Sequence, residues 1–186
     1  MENLGVMAGN GSLVSVVIPA FNEEDCIEAL GRGLQEVFLV ESQYQFEVIV
    51  VDNGSIDNTL NLLTSLQNQD ARFKVLELSR NFGADGGITA GLSFAKGDAA
   101  VIMMADLQEP PSLISAMLRK WEAGYENIYA LVEKRKGSRV AEAMEFESVL
   151  RNCLKAVRRN NRSERERLLT HRQKGVPIGT PPAGNR

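Results

Sequence analysis

Four stretches of this chain, the first a β-branched run, read as strands without the polar alternation of a half-exposed strand. They are Ser15-Val16-Val17-Ile18, Phe46 to Val51 (FEVIVV), Phe73 to Leu78, and Ala99 to Met104. A helical pattern follows each one: about Glu24–Val40, a second opening at Asp57, about Ala84–Lys96, and Ser112–Ala123 behind Pro110-Pro111. The first helix places Ile27, Leu30, Leu34, Val37 and Phe38 on one side, and the second Leu60, Leu62, Leu63 and Leu66. Asn127 to Val132 reads as a fifth strand. Unalternating strands are buried on both faces, and strands that alternate with helices run parallel. The expected fold is therefore α/β, a Rossmann-like, mostly parallel sheet with helices on both faces. Such sheets bind ligands beyond the carboxyl ends of their strands, so the chemistry should lie in PAFNEE, DNGSID, SRNFGADGG and ADLQEPP.

The 186 residues suffice for one domain and a tail, and charge separates the two. Residues 1–150 carry 22 Asp/Glu against 11 Lys/Arg, and residues 151–186 carry 2 against 10. We read residues 1–12 as a flexible start and 13–137 as the domain. Residues 138–158 read as an amphipathic helix with Val140, Met144, Leu150, Leu154 and Val157 near one stripe, and 159–186 as a basic tail without structure. That tail suits an anionic lipid surface, and it alone would point to nucleic acid, which we do not expect as a partner. Cys26 and Cys153 are too few for a disulfide framework, and no apolar run approaches the roughly 20 residues that span a bilayer. The expected location is cytoplasmic, with peripheral membrane contact through the basic end.

Each exit has a plain structural reading beside a chemical one. Asn22 can cap the first helix, with Glu23 and Glu24 suited to its N-terminus. Asp52 ends the second strand, where its carboxylate either braces a turn or accepts from a sugar hydroxyl or a base N–H. Gly54 permits a positive φ, and Ser55 or Asp57 can cap the next helix. Arg80, Gly83 and the pair Gly86-Gly87 open the third helix; free N–H groups beside a cation suit phosphate, while adjacent glycines equally suit tight helix–sheet packing. Asp106 and Gln108 follow the fourth strand two residues apart. In extended chain they face the same way and can offer two oxygens to a hard cation. No glycine fingerprint follows the first strand, which argues against a dinucleotide oxidoreductase.

SVVIPAFNEE, VVDNGSIDNT, LSRNFG, ITAGLSFAKGD and ADLQEPP, in this order, resemble the family-2 glycosyltransferases of the GT-A fold over about residues 13–137. The likeness is nearest to the branch that includes dolichol-phosphate mannose synthases and bactoprenol glucosyltransferases. The resemblance implies transfer of sugar from a nucleoside-diphosphate donor to a polyprenyl-phosphate acceptor in cell-envelope polysaccharide synthesis. It puts Pro19, Phe21, Glu23, Asp52 and Asn53 at the nucleoside and Arg80 and Gly83 on the path to the diphosphate. It gives Asp106 and Gln108 a bridging Mg²⁺ or Mn²⁺, and makes Asp106 catalytic together with Arg135 and Arg139, which would hold the acceptor phosphate alongside Lys134 and Lys136.

Three features depart from the family pattern. Asn53 replaces the second acid of Asp-Asp-Gly-Ser, and Met104 stands where Asp-x-Asp-x-Gln has its first acid. After about Arg139 the pattern is unmatched, so the resemblance implies a domain incomplete on its acceptor side, in a chain truncated at its C-terminal end. Two functions follow: an enzyme that transfers sugar to a lipid phosphate, or a relative that binds nucleotide or a partner chain without turnover. The sequence leaves the oligomeric state open.

Overall fold

The computed structural model describes residues 11–130 and the backbone of residues 175–178. Four parallel strands build the main sheet: β1 (Leu13–Ala20), β2 (Gln45–Asp52), β3 (Phe73–Glu77) and β4 (Ala99–Ile102). They lie in the order β3-β2-β1-β4. The helices between them are α1 (Ile27–Val40), α2 (Thr59–Gln69) and α3 (Gly83–Phe94), and α4 (Leu113–Glu122) follows β4.

The two-residue period of β1 assigns its faces. Val14, Val16, Ile18 and Ala20 pack with Val48 and Val50 of β2 against Ile27, Leu30 and Leu34 of α1, Leu63 of α2, and Ile114 and Leu118 of α4. Val17, Ile49 and Val51 face the other way, onto Ile88 and Leu92 of α3. Helices thus cover both faces, as expected. The unalternating reading holds for β1 and β2, whose residues are buried almost throughout. It fails for β3 and β4, which flank them: Lys74, Glu77 and Ala100 reach solvent. The expected α1 face is the observed one.

Asn127–Ala130 forms β5, but it does not extend the main sheet. It pairs in parallel with β6, Gly175–Ile178. β5 was expected as a strand, and β6 lies inside the span 159–186 expected to lack structure. A local composition rich in Gly and Pro does not register a partner almost 50 residues away in sequence, and the backbone hydrogen bonds of β5 supply one. The expected helix at 138–158 lies outside the described residues, as do Arg135, Arg139 and Cys153. Among the described residues, no helix is long and apolar enough to cross a membrane.

In this strand order, the chain runs outward from β1 to β2 and β3 through α1 and α2 on one face, then returns through α3 on the other face to place β4 on the far side of β1, so the order reverses between β1 and β4. The crevice between their carboxyl ends is where such sheets receive ligands. It is bounded by Pro19–Cys26 and by Met103–Gln108.

Candidate functional site: the strand exits

The loops at the carboxyl ends are stitched to one another before any ligand is considered. Asn22, at φ 54°, accepts from the Ile56 N–H at 2.9 Å, and its own N–H donates to Ser55 Oγ at 3.0 Å. The Glu23 N–H donates to Thr59 Oγ1 at 2.8 Å, and the Asn58 N–H donates to Glu24 at 2.8 Å. Asn22 is therefore not the cap of α1, which starts only at Ile27 behind Cys26 with no side-chain cap. Its left-handed backbone turns the amide sideways to the β2–α2 loop instead. Asp57 accepts from the Thr59 N–H at 3.0 Å and so serves the start of α2. Burial pulls its carboxyl upward, but the bonds from Thr59 and the Glu24 N–H outweigh it and leave it below the usual aspartate range.

Asp52 is the last residue of β2, paired with Ala20, and only 1% exposed. One carboxylate oxygen accepts from the Ser55 N–H at 3.3 Å. The other, Oδ1, is buried and has no hydrogen-bond partner among the described residues. Buried polar atoms are almost always paired, and an orphan at a strand exit marks a position kept for something else.

Asn53 is buried beside it and fully engaged within the fold. Its Nδ2 donates to the Gly83 carbonyl at 2.8 Å and to Asn81 Oδ1 at 3.2 Å, and its Oδ1 accepts from the Phe82 N–H at 3.0 Å. Asn53, which the resemblance assigns to the nucleoside, clamps the next loop. Gly54 completes it: at φ 75° it lies so close to Arg80 that a Cβ would stand 2.7 Å from that residue's Cα and carbonyl carbon. Gly83, at φ 78°, donates its N–H to Asn81 Oδ1 at 2.7 Å. The exposed Arg80 guanidinium rests 4.0 Å from the centroid of the exposed Phe82 ring.

The glycines of α3 divide between the two readings. Gly87 approaches Pro19 and Gly91 approaches Val17, so both serve helix–sheet contact. Gly83 opens the helix with a positive φ and nothing near its α-carbon, as a backbone surface for a ligand requires.

β4 ends at Ile102, earlier than the apolar run suggested, and Met104 is half-buried beyond it. Asp106 and Gln108 do meet, but not through extended chain. Leu107 takes φ 55°, and the turn folds Gln108 back onto Asp106. The Gln108 N–H and Nε2 donate to the two Asp106 oxygens at 3.1 and 2.6 Å. A left-handed leucine costs on the order of 1–2 kcal/mol and is kept where surrounding structure dictates it. Glu23 and Cys26 come within electrostatic reach of Asp106 across the crevice. Burial first, and then the Asp106 charge, raise the Glu23 carboxyl above its usual range. Burial and the Glu23 charge likewise push up the Cys26 thiol. This corner is negative and built of hard oxygens plus one thiol, which suits a divalent cation once phosphates add ligands. Among the described residues, no three acidic, histidine or cysteine side chains converge as a ready-made metal centre.

The structure thus brings Pro19, Phe21, Glu23, Asp52, Arg80, Gly83, Asp106 and Gln108 to one end of the sheet. Sequence reading missed Cys26, Asn81 and Phe82. Asn81, two residues before a positive-φ glycine, was the available signal.

Comparison with known proteins agrees with this arrangement. The uncharacterised glycosyltransferase YkcC of Bacillus subtilis is 42% identical over 123 residues, which is 66% of this chain and 38% of that protein. The bactoprenol glucosyl transferase of Shigella phage SfV is 34% identical over 63% of this chain and 38% of its own length. This chain therefore spans under two-fifths of these relatives. Among solved structures, S. aureus TarS 1-349 in complex with UDP-GlcNAc is similar at 25% identity and TM-score 0.53, over 70% of this chain and 37% of that one. The fold is also that of the mannosyltransferase PcManGT from Pyrobaculum calidifontis, solved with GDP-Man and Mn2+, at 22% identity and TM-score 0.56 over 78% of this chain and 40% of that one. The sequence pattern was expected to end near Arg139, but the family model matches residues 15–165. Its length and the GT-A fold of the neighbours place the chain: it belongs to glycosyl transferase family 2.

Proposed function

We propose that this chain is the donor-binding part of a glycosyltransferase that moves a sugar from a nucleoside diphosphate to a polyprenyl phosphate. The observation that carries the reading is the unpaired, buried Oδ1 of Asp52 at the carboxyl end of β2. A nucleoside base with a ring N–H satisfies that acceptor and removes the cost of leaving it alone. The similarity to the structure of S. aureus TarS 1-349 in complex with UDP-GlcNAc supports a nucleotide sugar as the class of ligand.

From Asp52 the diphosphate would extend past the open backbone at Gly83 to Arg80, whose exposed guanidinium offers donors to anionic oxygens. Asp106 and Gln108 would hold Mg²⁺ or Mn²⁺ through one carboxylate and one amide oxygen, the phosphates supplying further ligands. When bound, the cation neutralises the charge that grows on the leaving diphosphate. The anomeric carbon–oxygen bond breaks, the acceptor phosphate oxygen forms the new bond, and the nucleoside diphosphate departs with the electron pair. A phosphate acceptor is already anionic near neutral pH, so it needs cationic groups to position it more than a base to activate it. Lys134, Arg135, Lys136 and Arg139 are the residues assigned to it. The basic segment after Arg151 suits an anionic membrane surface.

The test is transfer of labelled sugar to polyprenyl phosphate with Mn²⁺, comparing the chain with its Asp106→Ala variant. Transfer abolished by the substitution supports the enzyme. Nucleotide binding without transfer to any lipid phosphate favours a binding module instead.

A further inference from the structure

We propose that Asn53 is a positioning residue for the diphosphate: it sets the loop carrying Arg80 and Gly83 without touching the donor itself. This rests on the nucleotide-sugar reading and specifies which residue makes the diphosphate part of that site.

Two independent contacts converge on the loop. The Asn53 amide must donate to two oxygens, Gly83 O and Asn81 Oδ1, and accept from one N–H, that of Phe82. Only an uncharged amide does both from a single buried side chain. A carboxylate there would set its oxygens against the Gly83 carbonyl and Asn81 Oδ1, leaving those acceptors repelled rather than paired. From the other side, Gly54 seats the Arg80 backbone where no Cβ fits. The clamped segment then runs from Arg80 through Phe82, under the guanidinium, to the first N–H of α3. Asp52, by contrast, is held by β2 itself and by Ser55, and depends on none of these bonds. The nucleoside and diphosphate parts of the site therefore have separate supports that meet at adjacent residues.

The decisive comparison is between a nucleoside and its own diphosphate. Uridine, guanosine and adenosine, with UDP, GDP and ADP, are titrated calorimetrically with Mn²⁺ into the full chain and into Asn53→Asp and Gly54→Ala. Circular dichroism checks that each variant is folded. In the wild-type chain one diphosphate binds more tightly than its nucleoside. Asn53→Asp keeps the nucleoside affinity within about twofold but loses about tenfold or more for the diphosphate at pH 7.5, as a buried polar group left facing acceptors would. Protonating the introduced carboxyl restores a donor, so the deficit relative to wild type shrinks at pH 5. Gly54→Ala, the second variant, shows the same selective loss without the pH rescue. Equal loss for nucleoside and diphosphate, or no loss, overturns the positioning role. Failure of the wild-type chain to bind any of the six overturns the site reading itself.

Discussion

Asp52 and Asn53 are adjacent, buried and nearly isosteric, yet the fold uses them in opposite ways. Asn53 spends both amide donors and one acceptor site on the neighbouring loop, while Asp52 leaves one oxygen unpaired. Asp52→Asn should therefore change stability by no more than about 1 kcal/mol, because one orphan replaces another. The same substitution should abolish nucleotide binding, since an amide N–H now faces the base N–H; denaturant melts and calorimetry on one preparation check both. Asp52 could be picked out in the sequence as a polar residue ending an apolar run. The role of Asn53 could not, because its partners lie about 30 residues downstream and only the fold brings them together. The Asp106–Gln108 pairing was legible as a spacing, but its geometry was not. The sequence suggests extended chain, whereas the contact needs a left-handed Leu107 that no propensity favours.

Among the elements, α3 trades helix propensity for closeness to the sheet. A Cβ on Gly91 would stand 2.4 Å from Val17 Cγ1 and 3.0 Å from Val51 Cγ2, both in the inner strands. Gly91→Ala gains about 1 kcal/mol of helix propensity. Overpacking costs about 1–3 kcal/mol, and the rigid β-branched neighbours place it toward the upper end. The net effect should be destabilising by about 1–2 kcal/mol, read as a fall in the urea midpoint at unchanged slope. Pro111 meets α1 in the same manner at Gly33, which fixes the start of α4 against the sheet's other layer. Elements of this type are the most legible part of the sequence. Apolar period and glycine punctuation gave the starts of α1 to α4, and the ends of α1, α3 and α4, to within about three residues. Strand ends were read less well: beyond Ile102, Met103 and Ala105 are buried in the hydrophobic core although the strand has ended. β5 was legible as a strand but its partner was beyond reach, since a strand of four residues states nothing about which segment it will pair with.

For the whole molecule, charge pairing away from the crevice sets the pH range of stability. Glu47 is buried under the N-terminal ends of the strands, where Ser15, Lys74 and the Lys96 N–H all donate to it. Burial raises its carboxyl, but these donors win and it titrates below the usual glutamate range. Asp70, bonded first by Arg72 against the opposing effect of burial, is lowered as well. A carboxyl depressed in the folded state stabilises the fold above its unfolded value, near about 4, and that contribution disappears as pH falls through the lower folded value. At the other extreme, burial and then the hydrogen bond to Glu122 push the Tyr44 phenol up to about 12. Its contribution is complete below its unfolded value of about 10 and is lost as pH rises through the folded one. The melting temperature should thus fall at both ends of the range. Glu47→Gln should lower it at pH 7 and flatten the acid limb, and Tyr44→Phe should flatten the alkaline limb; a pH series of thermal melts on the two variants reads both.

The central claim is that the carboxyl ends of β1, β2 and β4 form one nucleotide-sugar site. It is tested most directly by a thermal-shift screen of nucleotide sugars, with and without Mn²⁺, on the chain and on Asp52→Asn and Asp106→Ala. The account predicts that at least one donor raises the melting temperature. The rise should be larger with Mn²⁺, absent in Asp52→Asn, and insensitive to Mn²⁺ in Asp106→Ala. No shift with any donor, or a shift that survives both substitutions unchanged, would contradict it.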